Sequence, residues 1–182
     1  MLRDKIRMLT LPICALSVAL LFGCGGGIPG WFTNPPTSED ALYGAGVGES
    51  QGLQMATTRA QEAARVQISR AVESKVSGLF MQFQEQVGGI EDGEFLQMAT
   101  DVSKTVTSMV TTATSVVEQK VERVDGGYRI YALMAMPIGD ANAAIVNRIK
   151  AQQNLYTRFR ASQAFTELEA DVENYEKWKQ DQ

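Results

Sequence analysis

Three glycines spaced two residues apart, followed by alanines at helical spacing, constrain this chain more than any other feature. Residues 41–48 read as a strand, Ala-Leu-Tyr-Gly-Ala-Gly-Val-Gly. Period two puts Ala41, Tyr43, Ala45 and Val47 on one face and Leu42, Gly44, Gly46 and Gly48 on the other. Glycine within a strand often marks a close backbone approach. A long helix is expected over roughly 51–86, with Ser50 as its N-cap. Leu53, Ala56, Ala60, Ala63, Ala64, Ile68, Ala71, Val72, Val76, Leu79, Phe80 and Phe83 recur at helical spacing and form one apolar stripe. The first half of that stripe is alanine. The expectation is that Gly44 and Gly46 pack on Ala56, Ala60 and Ala63, bringing helix and strand close together.

The remaining elements follow from periodicity and breakers. Val87-Gly88-Gly89 ends the first helix, and residues 94–110 read as a second, with Phe95, Met98, Ala99, Val102, Val106, Met109 and Val110 on one face. Its C-terminal half is rich in Thr, Ser and Val, which are poor helix formers. Residues 115–124 and 128–136 read as a hairpin across Asp125-Gly126-Gly127, because Asp-Gly is a strong turn signal. The second hairpin strand is nearly all apolar and is expected to be central. The first carries Glu118, Lys120 and Glu122 on a single face, as an edge strand does. After Pro137, Asp140 is the expected cap of a final helix running from Ala141 towards Lys179. Its start buries Ala144, Ile145 and Ile149, and Leu155, Phe159, Ser162, Phe165, Leu168, Val172 and Tyr175 continue the stripe, with Trp178 close to the far end. One unbroken helix of that length overshoots a compact domain. Its second half either packs outside the domain, on something else or on another copy of the chain, or folds back onto the domain across a break.

The N-terminus carries a separate message. Arg3, Lys5 and Arg7 outweigh Asp4, and residues 8–22 are then almost wholly apolar, the layout of a secretory signal. That run is shorter than the roughly 20 residues a spanning helix needs. It ends in Leu21-Phe22-Gly23-Cys24, which resembles the lipobox of bacterial lipoproteins: Leu21, Gly23 and Cys24 match, and Phe22 is bulkier than the usual residue at its position. The resemblance implies cleavage before Cys24 and acylation of its thiol. Gly25, where an aspartate favours inner-membrane retention in enteric-type lipoproteins, fits delivery to the outer membrane. Cys14 lies in the leader, so Cys24 would be the one cysteine kept, with no intramolecular disulfide to form. Stable anchoring needs at least two acyl chains, each contributing about 0.8 kcal/mol per buried CH₂. The expected division is a leader at 1–23, a lipidated tether at 24–40, a domain at 41–140 and a helical extension at 141–182.

Composition narrows the chemistry. Removing residues 1–23 takes the net charge from −4 to −6 and leaves 159 of 182 residues, one domain's worth. That acidity argues against nucleic acid, which needs a basic face. Histidine is absent, which removes the commonest general base and the commonest transition-metal ligand together. Gly44-Ala45-Gly46-Val47-Gly48-Glu49-Ser50 lacks the third glycine of a dinucleotide loop, and no Gly-Lys-Ser/Thr follows. Glu91, Asp92 and Glu94 around Gly93 lack the alternating oxygen ligands of a calcium loop. Lys104, in a Ser/Thr-rich helix, has no partner at catalytic spacing. No catalytic residue, metal or cofactor is expected. Trp31-Phe32 either dips into the membrane interface or covers an open end of the core.

Three segments carry a family resemblance. Pro29-Gly30-Trp31-Phe32, Leu42-Tyr43-Gly44-Ala45-Gly46-Val47-Gly48 with Ala60, Ala63-Ala64-Arg65 and Ile68, and Tyr131-Ala132-Leu133-Met134-Ala135-Met136-Pro137 resemble the LPP-twenty-like family. These are twenty-kilodalton bacterial lipoproteins, among them the flagellar lipoprotein FlgP. The resemblance runs from Pro29 to Asp140, plus the lipobox. It implies an α+β fold, a small three-stranded antiparallel sheet packed by two helices, here followed by a long C-terminal helix. It also implies a non-enzymatic structural or interaction role in the outer membrane, facing the periplasm or the surface, by self-association or with an envelope protein partner. FlgP-like members assemble rings or discs around the flagellar motor. The alternative is a periplasmic ligand-binding module for a peptide, glycan or lipid, with a cleft lined by Tyr43 or Tyr131.

Overall fold

The computed structural model describes residues 27–88 and 92–181, so the leader, the Leu21-Phe22-Gly23 motif and Cys24 lie outside the described residues. The fold is α+β. Its elements are α1 (Gly30–Thr33), β1 (Ala41–Ser50), α2 (Leu53–Val87), α3 (Asp92–Ala113), β2 (Ser115–Val124), β3 (Gly127–Pro137), α4 (Ile138–Lys150), α5 (Gln153–Phe159) and α6 (Gln163–Gln180). The strands form one antiparallel sheet in the order β1-β3-β2, with apolar β3 in the centre and charged β2 at an edge. The β2–β3 turn uses Gly126 at φ 81°, in the left-handed region that favours glycine.

Packing of β1 on α2 explains the glycine–alanine pattern. A Cβ on Gly44 would collide with the carbonyl oxygen of Ala64, on Gly46 with that of Ala60, and on Gly48 with that of Ala56. Each glycine therefore meets one backbone turn of α2, four residues further back along the helix each time. The expected contact is there in part: Gly46 meets Ala60 and Ala63, but it is Gly48 that meets Ala56, and Gly44 meets Ala64 and Ile68.

The buried positions of α2 are Ala56, Ala60, Ala64, Ile68, Val72, Val76, Phe80 and Phe83. A step of four residues turns an α-helix about 40° past a full circle. A stripe built mostly of such steps therefore winds around the helix. At the start it faces the sheet, where Ala56 and Ala60 pack on Ile130 and Ala132. At the far end it faces helices instead. A helix of 35 residues is about 52 Å long, whereas a ten-residue strand spans about 33 Å, so α2 runs well past the sheet. The overhang is filled by aromatic rings: Phe83 lies 4.7 Å from Phe159 and 6.1 Å from Phe165, and Phe80 lies 5.5 Å from Phe95, centroid to centroid.

The C-terminal region is helical, but it is three helices rather than one. The chain breaks at Ala151-Gln152 and again at Arg160–Ser162, and Phe159, Phe165 and Leu168 are buried in the same core as Phe80 and Phe83. Of the two fates expected for this region, folding back is the one observed. Ser162 makes the second break: its hydroxyl donates to the carbonyl of Phe159 (2.7 Å) and accepts from the amide of Phe165 (3.2 Å), which caps α6.

Two other caps differ from expectation. Gly52 caps α2, while Ser50 remains in β1 and its Oγ accepts from the Gly52 amide at 3.4 Å. Pro137 precedes α4, and Asp140 sits in the first turn, where a carboxylate is favoured by the helix dipole.

Candidate functional site

Three regions bear on function: the sheet face under the tether, the two sheet edges, and a cleft at one end of the sheet. None of the described helices is long and apolar enough to cross a membrane.

The tether crosses the sheet face opposite α2. Within it, α1 holds Phe32 edge-on to Tyr131 at 5.0 Å, which covers an otherwise open apolar face. Tyr131 and Leu133 are consequently buried. Phe32 thus covers the core, with Tyr131 buried beneath it. The same face carries Glu49, Arg129 and Glu122, one from each strand. Arg129 lies 2.5 Å from Glu49 and 3.5 Å from Glu122. Lys120 of β2 donates to the carbonyl of Gly27, three residues after Cys24.

The two edges are built differently. Along β1, α2 supplies polar side chains to the unpaired backbone: Gln67 Oε1 accepts from the Ala45 amide (3.2 Å), and the Arg59 guanidinium donates to the Glu49 carbonyl (2.6 Å). Along β2 no helix plays that part among the described residues. Val116, Val117 and Val121 are exposed, Val121 by 50%. The ladder to β3 shifts register between Val116 and Glu118, leaving Val117 as a bulge residue.

The cleft has a volume of about 840 Å³ and opens where β1 begins, β3 ends and α6 crosses the first turn of α4. Asp40 and Glu39 come from the entry to β1, Asn142 from α4, and Asp171, Asn174, Tyr175 and Trp178 from α6. The isoleucine amide that opens α4 is held by the Asp40 carbonyl (2.8 Å). Gly139 lets the Tyr175 ring lie against α4, since a Cβ there would fall within the ring atoms. Tyr175 stacks on Trp178 at 5.8 Å with an interplanar angle of 19°. Burial, then the Asp140 carboxylate, pushes the Tyr175 phenol above its ordinary value. Lys179 hydrogen-bonds Asp140 at 3.1 Å, which raises the lysine. Its Nζ lies 5.0 Å from the Tyr175 ring centroid.

The other sequence candidates are not brought together. The glycines of β1 face α2, where a phosphate loop would need them open. Lys104 is exposed on α3. Glu91 and the side chains of Asp92 and Glu94 lie outside the described residues. Sequence reasoning missed the cleft altogether. Its residues are scattered over five segments, and the one local hint was a glycine, Gly139, opening a helix. Comparison with family models, with curated proteins and with solved structures returned no match.

Proposed function

We propose that this chain is an outer-membrane lipoprotein, anchored through acylated Cys24, whose folded part is a non-enzymatic, self-associating component of the cell envelope. Its resemblance to the LPP-twenty-like lipoproteins, and with it a flagellar setting, belongs to the same proposal. The observation that carries the reading is the bare β2 edge with its exposed valines. Its charges and its bulge are devices that blunt an edge, but Val116, Val117 and Val121 stay exposed along it, and an edge without a strand partner is a template for another strand.

The sequence of β2 suits a second copy. Two β2 strands paired antiparallel about Gln119 bring Glu118 opposite Lys120 twice and Val117 opposite Val121 twice. Opposite charges and apolar side chains across a strand pair each stabilise by about 0.2–1 kcal/mol. A two-fold contact of this kind uses the same patch on both subunits.

The tether supports the same geometry. Gly27 follows Cys24 by three positions, a reach of about 10 Å, and Gly27 is held by Lys120 on the outer sheet face. An acyl anchor so close would turn that face to the membrane and leave the β2 edge pointing sideways, along the membrane plane.

Anchoring is tested by fractionation. Cys24→Ala should leave the outer-membrane fraction and lose its acyl label. A variant that still sediments with outer membrane would remove Cys24 as the attachment. Pairing is tested by charge: Lys120→Glu should weaken association at least tenfold, and adding Glu118→Lys should restore it. Equal association in all three proteins would overturn the β2 contact.

A further inference from the structure

We propose that Ile28, Trp31 and Val47, on the outer face of the sheet, form a patch that rests on the lipid surface and sets how the domain sits there. The inference rests on the anchoring reading, since an acylated Cys24 is what brings the patch to a bilayer. The chain at this point is clamped. Lys120 holds the Gly27 carbonyl, the Pro29 carbonyl accepts from the Phe32 amide (3.0 Å), and the Phe32 ring lies on Tyr131. Between these fixed points Ile28 is still 59% exposed. Trp31 is half-buried and meets Phe32 edge to face at 6.4 Å, on a helical turn that touches both β1 and β3. Val47 and Lys120 flank Tyr131 in one row across the sheet, and Val47 is exposed as well.

The length of chain between patch and anchor identifies the occupant. Trp31 follows Cys24 by seven positions, a reach of at most about 25 Å. An acylated Cys24 therefore keeps Ile28 and Trp31 close to the headgroups whichever way the domain turns. An anchor at one point leaves a domain free to rotate, and apolar side chains fixed beside it remove that freedom. Such side chains gain by leaving water, and tryptophan settles at membrane–water interfaces, where its ring is apolar and its N–H polar. The charges of this face decide the kind of contact. On the strands, Glu49, Glu118 and Glu122 stand against Lys120 and Arg129. Arg129 is already held by Glu49 and Glu122, and Lys120 by the Gly27 carbonyl. A face with more acids than bases draws nothing from anionic headgroups, so the contact is apolar and a zwitterionic lipid suffices.

The test uses the full lipidated chain with Trp178→Phe, so that Trp31 is the sole tryptophan. It is reconstituted on phosphatidylcholine vesicles that contain a lipid brominated high on its acyl chains, which quenches an indole in contact with it. Trp31 emission is expected to fall by at least half. The reverse variant, Trp31→Phe, should leave Trp178 on α6 unquenched. Ile28→Asn with Val47→Thr, both at exposed positions, should remove most of the Trp31 quenching while the protein still floats with the vesicles. Adding phosphatidylglycerol or raising the salt should change nothing. A protein that carries its acyl label and floats, yet whose Trp31 is unquenched, would overturn the contact and leave the anchor standing. Equal quenching of both tryptophans, quenching that survives the double substitution, or quenching that needs anionic lipid would overturn it too. A protein with no acyl label that does not float would instead overturn the anchoring, and this inference with it.

Discussion

The two edges of this sheet solve the same problem in opposite ways. Both β1 and β2 are ten-residue strands on β3, and each has one side without a strand partner. On β1 the glycines let α2 come close enough for Gln67 and Arg59 to reach the unpaired backbone groups. On β2, Glu118, Lys120 and Glu122 share one face and Val116, Gln119, Val121 and Arg123 the other, and among the described residues no helix supplies its unpaired backbone groups in the same way. What separates the edges is side-chain size: a strand with glycine at 44, 46 and 48 on one face admits a helix, while one bearing Val116, Gln119 and Val121 there does not. One edge is thereby closed within the chain, and the other is left open among the described residues.

The largest effect should come from closing the gap that β1 leaves. Gly46→Val drives a side chain into the Ala60 carbonyl, a backbone atom that cannot step aside. The expected loss is about 3 kcal/mol or more, at the upper end of overpacking, and a fall in Tm of about 10 °C. Thermal unfolding checks it, and a parent-like Tm would mean that the close approach is not what holds β1.

A smaller effect should follow from removing one edge contact. Gln67→Ala leaves the Ala45 amide without its side-chain partner and should cost about 1 kcal/mol in urea unfolding. A neutral result would mean that water serves that amide equally well, and the two edges would then differ less than their geometry suggests.

The smallest change in stability should come from β2. Val121→Lys alters an exposed position and should move the stability of the dilute protein by no more than about 0.5 kcal/mol. A loss as large as that of Gly46→Val would show that β2 valines support the monomer itself, and the contrast between the edges would collapse.

Much of this contrast was legible in the sequence, because period-two glycines and helical alanines each declare a face. The hairpin was legible too, from Asp125-Gly126, as was the edge character of β2 from Glu118, Lys120 and Glu122. The C-terminal breaks were not. No glycine or proline marks Ala151-Gln152, and Phe159, Ser162 and Phe165 keep helical spacing across the second break, so the periodic signal continues where the helix stops. Ser162 could have been read as a cap; its place in an apolar stripe disguised it. The cleft was illegible for a different reason. Asp40, Asn142 and Trp178 share no local pattern, and only the crossing of α6 over α4 brings them to one place.

The most direct test of the central claim is the mass of the lipid-free protein, residues 25–182, by light scattering over a rising concentration series. The bare β2 edge predicts association that grows with concentration and is weakened at least tenfold by Val121→Lys. A strictly monomeric mass at the highest concentration would contradict it.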